Sequence, residues 1–120
     1  MRVPLEESAD ATGNLERSTK GNAMATYVTL VNFTEKGFHD IKDTVKRAEA
    51  FKEVAKKHGA TVKEILWTQG AYDMVSIIEA PDGETLAALM LHVARLGNVH
   101  GQSLRGFTAA EMEKILEKVS

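Results

Sequence analysis

Residues 72–80 read YDMVSIIEA, and both faces of any strand built from them are apolar. Successive side chains of an extended chain alternate between faces. Tyr72, Met74, Ser76 and Ile78 therefore share one side, and Asp73, Val75, Ile77 and Glu79 the other. Residues 26–33, TYVTLVNF, repeat the pattern, with Val28 and Leu30 set against Tyr27, Val31 and Phe33. A strand with large apolar groups on both sides belongs to a sheet covered twice. A single layer of helices covers one side only, so the other needs a second partner.

The segments between these strands indicate where the helices come from. TEKGFHDIKD reads as a loop or short helical turn broken by Gly37. A helix is predicted over residues 44–59, with Asp43 or Thr44 as its cap and Gly59 as its stop. Val45, Ala48, Phe51 and Ala55 form its apolar stripe, with Val54 beside it. Residues 60–68, ATVKEILWT, read as a second strand. Gln69, Gly70 and Ala71 then turn the chain, and Gly70 tolerates positive φ. Pro81 ends the third strand, and Asp82 caps a helix with Leu86, Leu89, Met90, Val93 and Leu96 on one face. NVHGQSLRGF is a fourth strand, with Gly101 and Gly106 as bulge positions. TAAEMEKILEKV opens with the capping box Thr108–Glu111 and presents Met112, Ile115, Leu116 and Val119 as a stripe.

The order is βαββαβ plus a C-terminal helix, an α+β class of fold. It is the ferredoxin-like arrangement of one antiparallel four-stranded sheet. Two helices cover one face of that sheet. Left wet, the other would be a large apolar patch. Symmetric pairing of two sheets removes it from water, and symmetric dimers are the commonest oligomers. A homodimer forming a dimeric α/β barrel, or a higher oligomer of dimers, is thus expected. The C-terminal helix or the N-terminal arm is the alternative cover.

Residues 1–23 are polar and broken by Gly13, Asn14, Gly21 and Asn22, so they read as an arm preceding a domain over 24–120. The arm has no apolar core of the secretory kind. The chain's 120 residues suit one domain with a real core. The net charge of −2 gives no basic excess for nucleic acid or an anionic membrane, so neither partner is expected. There is no cysteine, which excludes disulfides, thiolate catalysis and cysteine–zinc sites. That composition suits a cytoplasmic location.

Beyond these patterns, the chain resembles the GYD domain family, named for a glycine, a tyrosine and an aspartate. GAYDMVSIIEAPD matches its signature through Gly70, Tyr72 and Asp73. YVTLVNFTEKGFHDIKDTVKRAEAF, GATVKEILWTQG and GNVHGQSLRGFTAAEMEKIL extend the resemblance from Thr26 to Leu116. The resemblance implies a dimeric α+β barrel and no particular reaction. Proteins of that fold range from monooxygenases acting on small aromatics to amino-acid-sensing domains, so the fold alone does not assign a function.

Candidate chemistry centres on few residues. Tyr72 and Ser76, with Trp67 and His100, are the candidate ligand-binding set for a small apolar or aromatic molecule between the two sheets. Apolar walls with sparse polar groups are what such pockets need. A core tyrosine bonded to a backbone carbonyl is the competing reading of Tyr72. Asp73 is expected to accept backbone N–H bonds or to pair with Arg47. His39, His58, His92 and His100 have no metal-ligand spacing, so no metal is expected. No phosphate loop or nucleophile elbow is present, and neither a cofactor nor a catalytic residue is assigned. Three functions follow in order: a small-molecule binding or sensing module; a dimeric-barrel enzyme such as a cofactor-independent monooxygenase or isomerase; and a purely structural assembly subunit.

Overall fold

The computed structural model describes residues 23–120. The arm expected over residues 1–23 lies, Ala23 apart, outside the described residues. In chain order the elements are β1 (Ala25–Phe33), α1 (Glu35–His39), a 3-10 turn (Ile41–Asp43), α2 (Thr44–Lys57), β2 (Thr61–Trp67), β3 (Met74–Ala80), α3 (Gly83–Arg95), β4 (Val99–Gly106) and α4 (Ala109–Leu116). The strands make one antiparallel sheet in the order β2-β3-β1-β4, the expected ferredoxin-like topology.

Register divides the sheet into two faces. Tyr27, Thr29 and Val31 stand opposite Ile78, Ser76 and Met74. Val62, Ile65 and Trp67 stand opposite the same three residues from the other side. This is the helix face, and the core lies on it. Ile78 and Ala80 are buried with Ala55, Ala60, Leu86 and Leu89, and Phe51, Val54 and Met90 pack around them. Ile78 and Leu89 are wholly removed from water. Full burial of one such side chain contributes about 1.5–3 kcal/mol. The predicted stripes of α2 and α3 thus supply the helical half of the core, except that Val45 and Leu96, at the outer ends of those stripes, are exposed.

The second face carries Val28, Leu30, Val75, Ile77, Leu66 and Leu104 at successive register positions. Leu66, Ile77 and Leu104 are exposed on it. α4 leaves it uncovered, since Met112, Leu116 and Val119 are exposed as well. Two capping predictions hold. The Asp82 carboxylate accepts from the Thr85 N–H at 2.7 Å. Thr108 and Glu111 form a complete capping box.

Four local expectations are corrected. Gly37 does not break a helix but sits buried inside α1. A Cβ there would run into the Asn98 carbonyl oxygen, so only glycine lets α1 meet that turn. Asp43 occupies the cap position of α2 without a side-chain hydrogen bond. Pairing of β1 with β4 runs without a bulge through Gly101, and the irregularity falls in β2 between Val62 and Glu64. Finally, β3 begins at Met74 rather than Tyr72.

Candidate functional site

The tyrosine–aspartate pair belongs to the connection before β3. Gly70 adopts a φ of 112°, a conformation natural to glycine alone. The turn is closed by the Thr68 N–H donating to Asp73 O at 2.9 Å and the Thr68 hydroxyl donating to Tyr72 O at 2.6 Å. Asp73 then locks the turn to β1. Its N–H donates to Val31 O, and its carboxylate accepts from the Phe33 N–H, each at 2.9 Å. With its amide nitrogen turned toward the turn, Asn32 donates to the same carboxylate at 3.3 Å and to Ala71 O at 3.0 Å. This is the backbone-accepting role expected of Asp73. The alternative pairing with Arg47 is not found.

Tyr72 leaves the face expected for it. Outside the regular strand, it turns so that its hydroxyl accepts from Gln102 Nε2 at 3.0 Å. Gln102 pairs with Leu30, a position on the sheet's open face. Tyr72 therefore reaches β4 across the intervening β1, and Met74, Ser76 and Ile78 remain on the helix side. Its partner is a side-chain amide, not a backbone carbonyl. Trp67 lies on the edge strand, where its indole N–H donates to the Thr44 hydroxyl at 3.0 Å. It pins the start of α2. His100 is exposed and pairs with Asn32. Tyr72 and Trp67 thus do not join Ser76 in one pocket.

Ser76 does occupy a cavity, on the helix side. The space between the sheet and helices α2 and α3 is an open-mouthed cavity of about 540 Å³, within the range of small-molecule sites. Its walls are mainly apolar, with Phe51, Ile65, Met74, Met90 and Val93 among them, and β4 closes one side around Gly101, which stands opposite Val31. Thr29 and Ser76 lie in its floor, buried to within a few per cent of complete. Their hydroxyls hydrogen-bond to each other. Two hydroxyls hold two donated protons, and one mutual bond uses one of them. Among the described residues the second has no acceptor. A buried, unspent donor in an apolar chamber is the arrangement that orients a ligand through a single polar contact.

The rim is polar and cationic. Arg47 donates through Nη1 to Asp40 O at 2.7 Å and through Nη2 to Gly37 O at 3.3 Å. Lys36 donates to Leu96 O at 2.9 Å. Both side chains line the cavity. Around them, Thr34 ties α1 to the turn before β4, its N–H donating to Asn98 O at 3.0 Å and its hydroxyl to Gly97 O at 2.6 Å. On the far wall His92 comes near His58, ring centres 6.0 Å apart. Among the described residues no group of three histidine, aspartate or glutamate side chains could hold a metal ion. No helix there is long and apolar enough to cross a membrane.

Thr29 carries no sequence signal toward a site, being one alternating position among others. Arg47 reads in sequence as part of a basic cluster with Lys42 and Lys46, by default a solvated face and alternatively an anion site at the helix start. Its backbone acceptors leave no trace there.

Fold and cavity together define the class, a ferredoxin-like α+β domain with a chamber between sheet and helices. The chain belongs to the GYD domain family, whose model matches residues 27–116. It is similar to the glutamine synthetase and cystathionine beta-lyase binding protein of Thermus thermophilus. The two are 30% identical over 90 residues, which cover 74% of this chain and 95% of that protein. Among solved structures it is similar to the crystal structure of MtbAldR, with a TM-score of 0.56 and 15% identity over 70% of this chain and 52% of the other. The chain therefore spans about half the length of MtbAldR, and at this identity the likeness is one of fold.

Proposed function

We propose that the chain is a small-molecule binding module whose ligand lies between the sheet and helices α2 and α3, and which acts as a homodimer joined through the open sheet face. The Thr29–Ser76 pair carries the first part: two buried hydroxyls, one proton of which has no acceptor among the described residues, in the floor of an apolar chamber. The expected ligand site lay between two sheets. The chamber within one chain now offers the better site, because its polar contact is built and buried. The exposed Leu66, Ile77 and Leu104 support the homodimer.

The double variant Thr29→Val, Ser76→Ala tests the site. Replacing both partners of a buried bond by apolar groups of similar shape is nearly neutral for stability. A thermal-shift screen over small metabolites is expected to find compounds that raise the midpoint of the native protein. The double variant should bind those compounds more weakly by about three- to tenfold, as one lost hydrogen bond implies. If no compound moves the midpoint, or the double variant binds equally well, the site is elsewhere.

A second reading is supported by the Thermus relative, named for binding two enzymes. The exposed stripe of Met112, Leu116 and Val119 on and after α4 is a surface that could dock on such a protein. Co-sedimentation with glutamine synthetase, lost on Leu116→Glu, would favour it, and no co-sedimentation would remove it.

A further inference from the structure

We infer that the ligand of this cavity is an organic anion, an apolar aliphatic or aromatic body carrying one negatively charged group. The inference rests on the cavity reading above and names the class of molecule it takes. Lys36 and Arg47 line the cavity, and no aspartate or glutamate does. The chain has 17 acidic residues against 15 lysines and arginines, so this local imbalance runs against its composition.

Among the described residues neither cation has a carboxylate partner. The ion pairs among the described residues involve His39, Lys52, Lys56 and Arg105. Arg47 and Lys36 instead bond backbone carbonyls, which hold the side chains in place without cancelling their charge. A guanidinium has five N–H donors and an ammonium three, so each retains donors for a further acceptor. Thr44, the first residue of α2, also lines the cavity, and no side chain caps that helix end. The N-terminal end of that helix's dipole adds to the positive potential. Phe51, Met74 and Met90 give the same cavity apolar lining. A molecule with one charged group on an apolar body matches that combined lining. A neutral one leaves the cations unmatched, and a cationic one meets repulsion.

Calorimetric titration with hexanoate, 1-hexanol and hexylamine, and with benzoate, benzyl alcohol and benzylamine, separates the cases. The acids should bind at least tenfold more tightly than the matched alcohols, and the amines should not bind. Added salt should narrow that gap. Arg47→Met keeps the apolar stem and should bring acid and alcohol to within about threefold. Because Arg47 also ties down α1, the exposed Lys36→Gln is measured beside it, and should reduce the acid's advantage at least threefold in a protein of unchanged fold. Alcohols binding as well as acids, or amines binding better, would overturn the anion assignment while leaving the cavity reading intact. An acid preference unchanged in both variants would overturn it too. If none of the six probes binds, the cavity reading falls, and this inference with it.

Discussion

Asp73 secures structure, because its carboxylate accepts from the Phe33 N–H and holds the turn to β1. Asp73→Ala leaves that part-buried donor without its acceptor, and should destabilise the fold by about 1–3 kcal/mol. Tyr72→Phe loses one bond to Gln102 and should lower stability by about 1 kcal/mol or less. Urea denaturation of both variants checks the order, and equal effects would contradict it. Asp82 gives a pH signature. The Thr85 N–H, aided by its side chain, holds this carboxyl below its ordinary 3.8. A depressed carboxylate contributes stability that is fully present above the unfolded value and is lost as pH falls through the folded one. The unfolding midpoint should therefore fall as pH drops below about 3.8, and Asp82→Asn should flatten that part of the profile. The sequence already separated Tyr72 from Asp73, because neighbouring strand residues point apart. It misplaced Tyr72, because the strand begins two residues later and the ring is free to cross toward Gln102.

Strands and helices were legible because their cues are local: period-two and period-3.6 apolar patterns, Asp82 and Thr108 as caps, glycines at helix ends. α1 was not legible in this way. Gly37 reads as a breaker, and only the Asn98 carbonyl, distant along the chain, explains it. Gly37→Ala should destabilise the protein by about 1–3 kcal/mol through overpacking, and should loosen the rim that Arg47 and Lys36 build on α1. Chemical denaturation measures the first effect. A variant as stable as the native protein would show that α1 yields easily. The cavity was equally hidden. Its volume depends on how far α2 and α3 stand from the sheet, which no periodicity records. Ser76 could be suspected from its chemistry, whereas Thr29 becomes meaningful only when the register sets it opposite Ser76.

For the molecule as a whole, the two-faced strands foretold the main tension correctly. One face meets helices, and the other, among the described residues, stays bare. The protein should sediment as a dimer at micromolar concentration. Ile77→Glu, which places a charge in the middle of the open face, should convert it to a folded monomer with an unchanged circular-dichroism spectrum. A native protein already monomeric would remove the dimer from the account. The ligand site has a more direct reporter. Met74 and Met90 line the cavity, and Met112 lies on α4, away from it. With the methionine methyl groups labelled with carbon-13, titration with hexanoate should shift the Met74 and Met90 resonances together and leave Met112 still. Movement of Met112 alone, or of none of the three, would contradict a ligand site between the sheet and its helices.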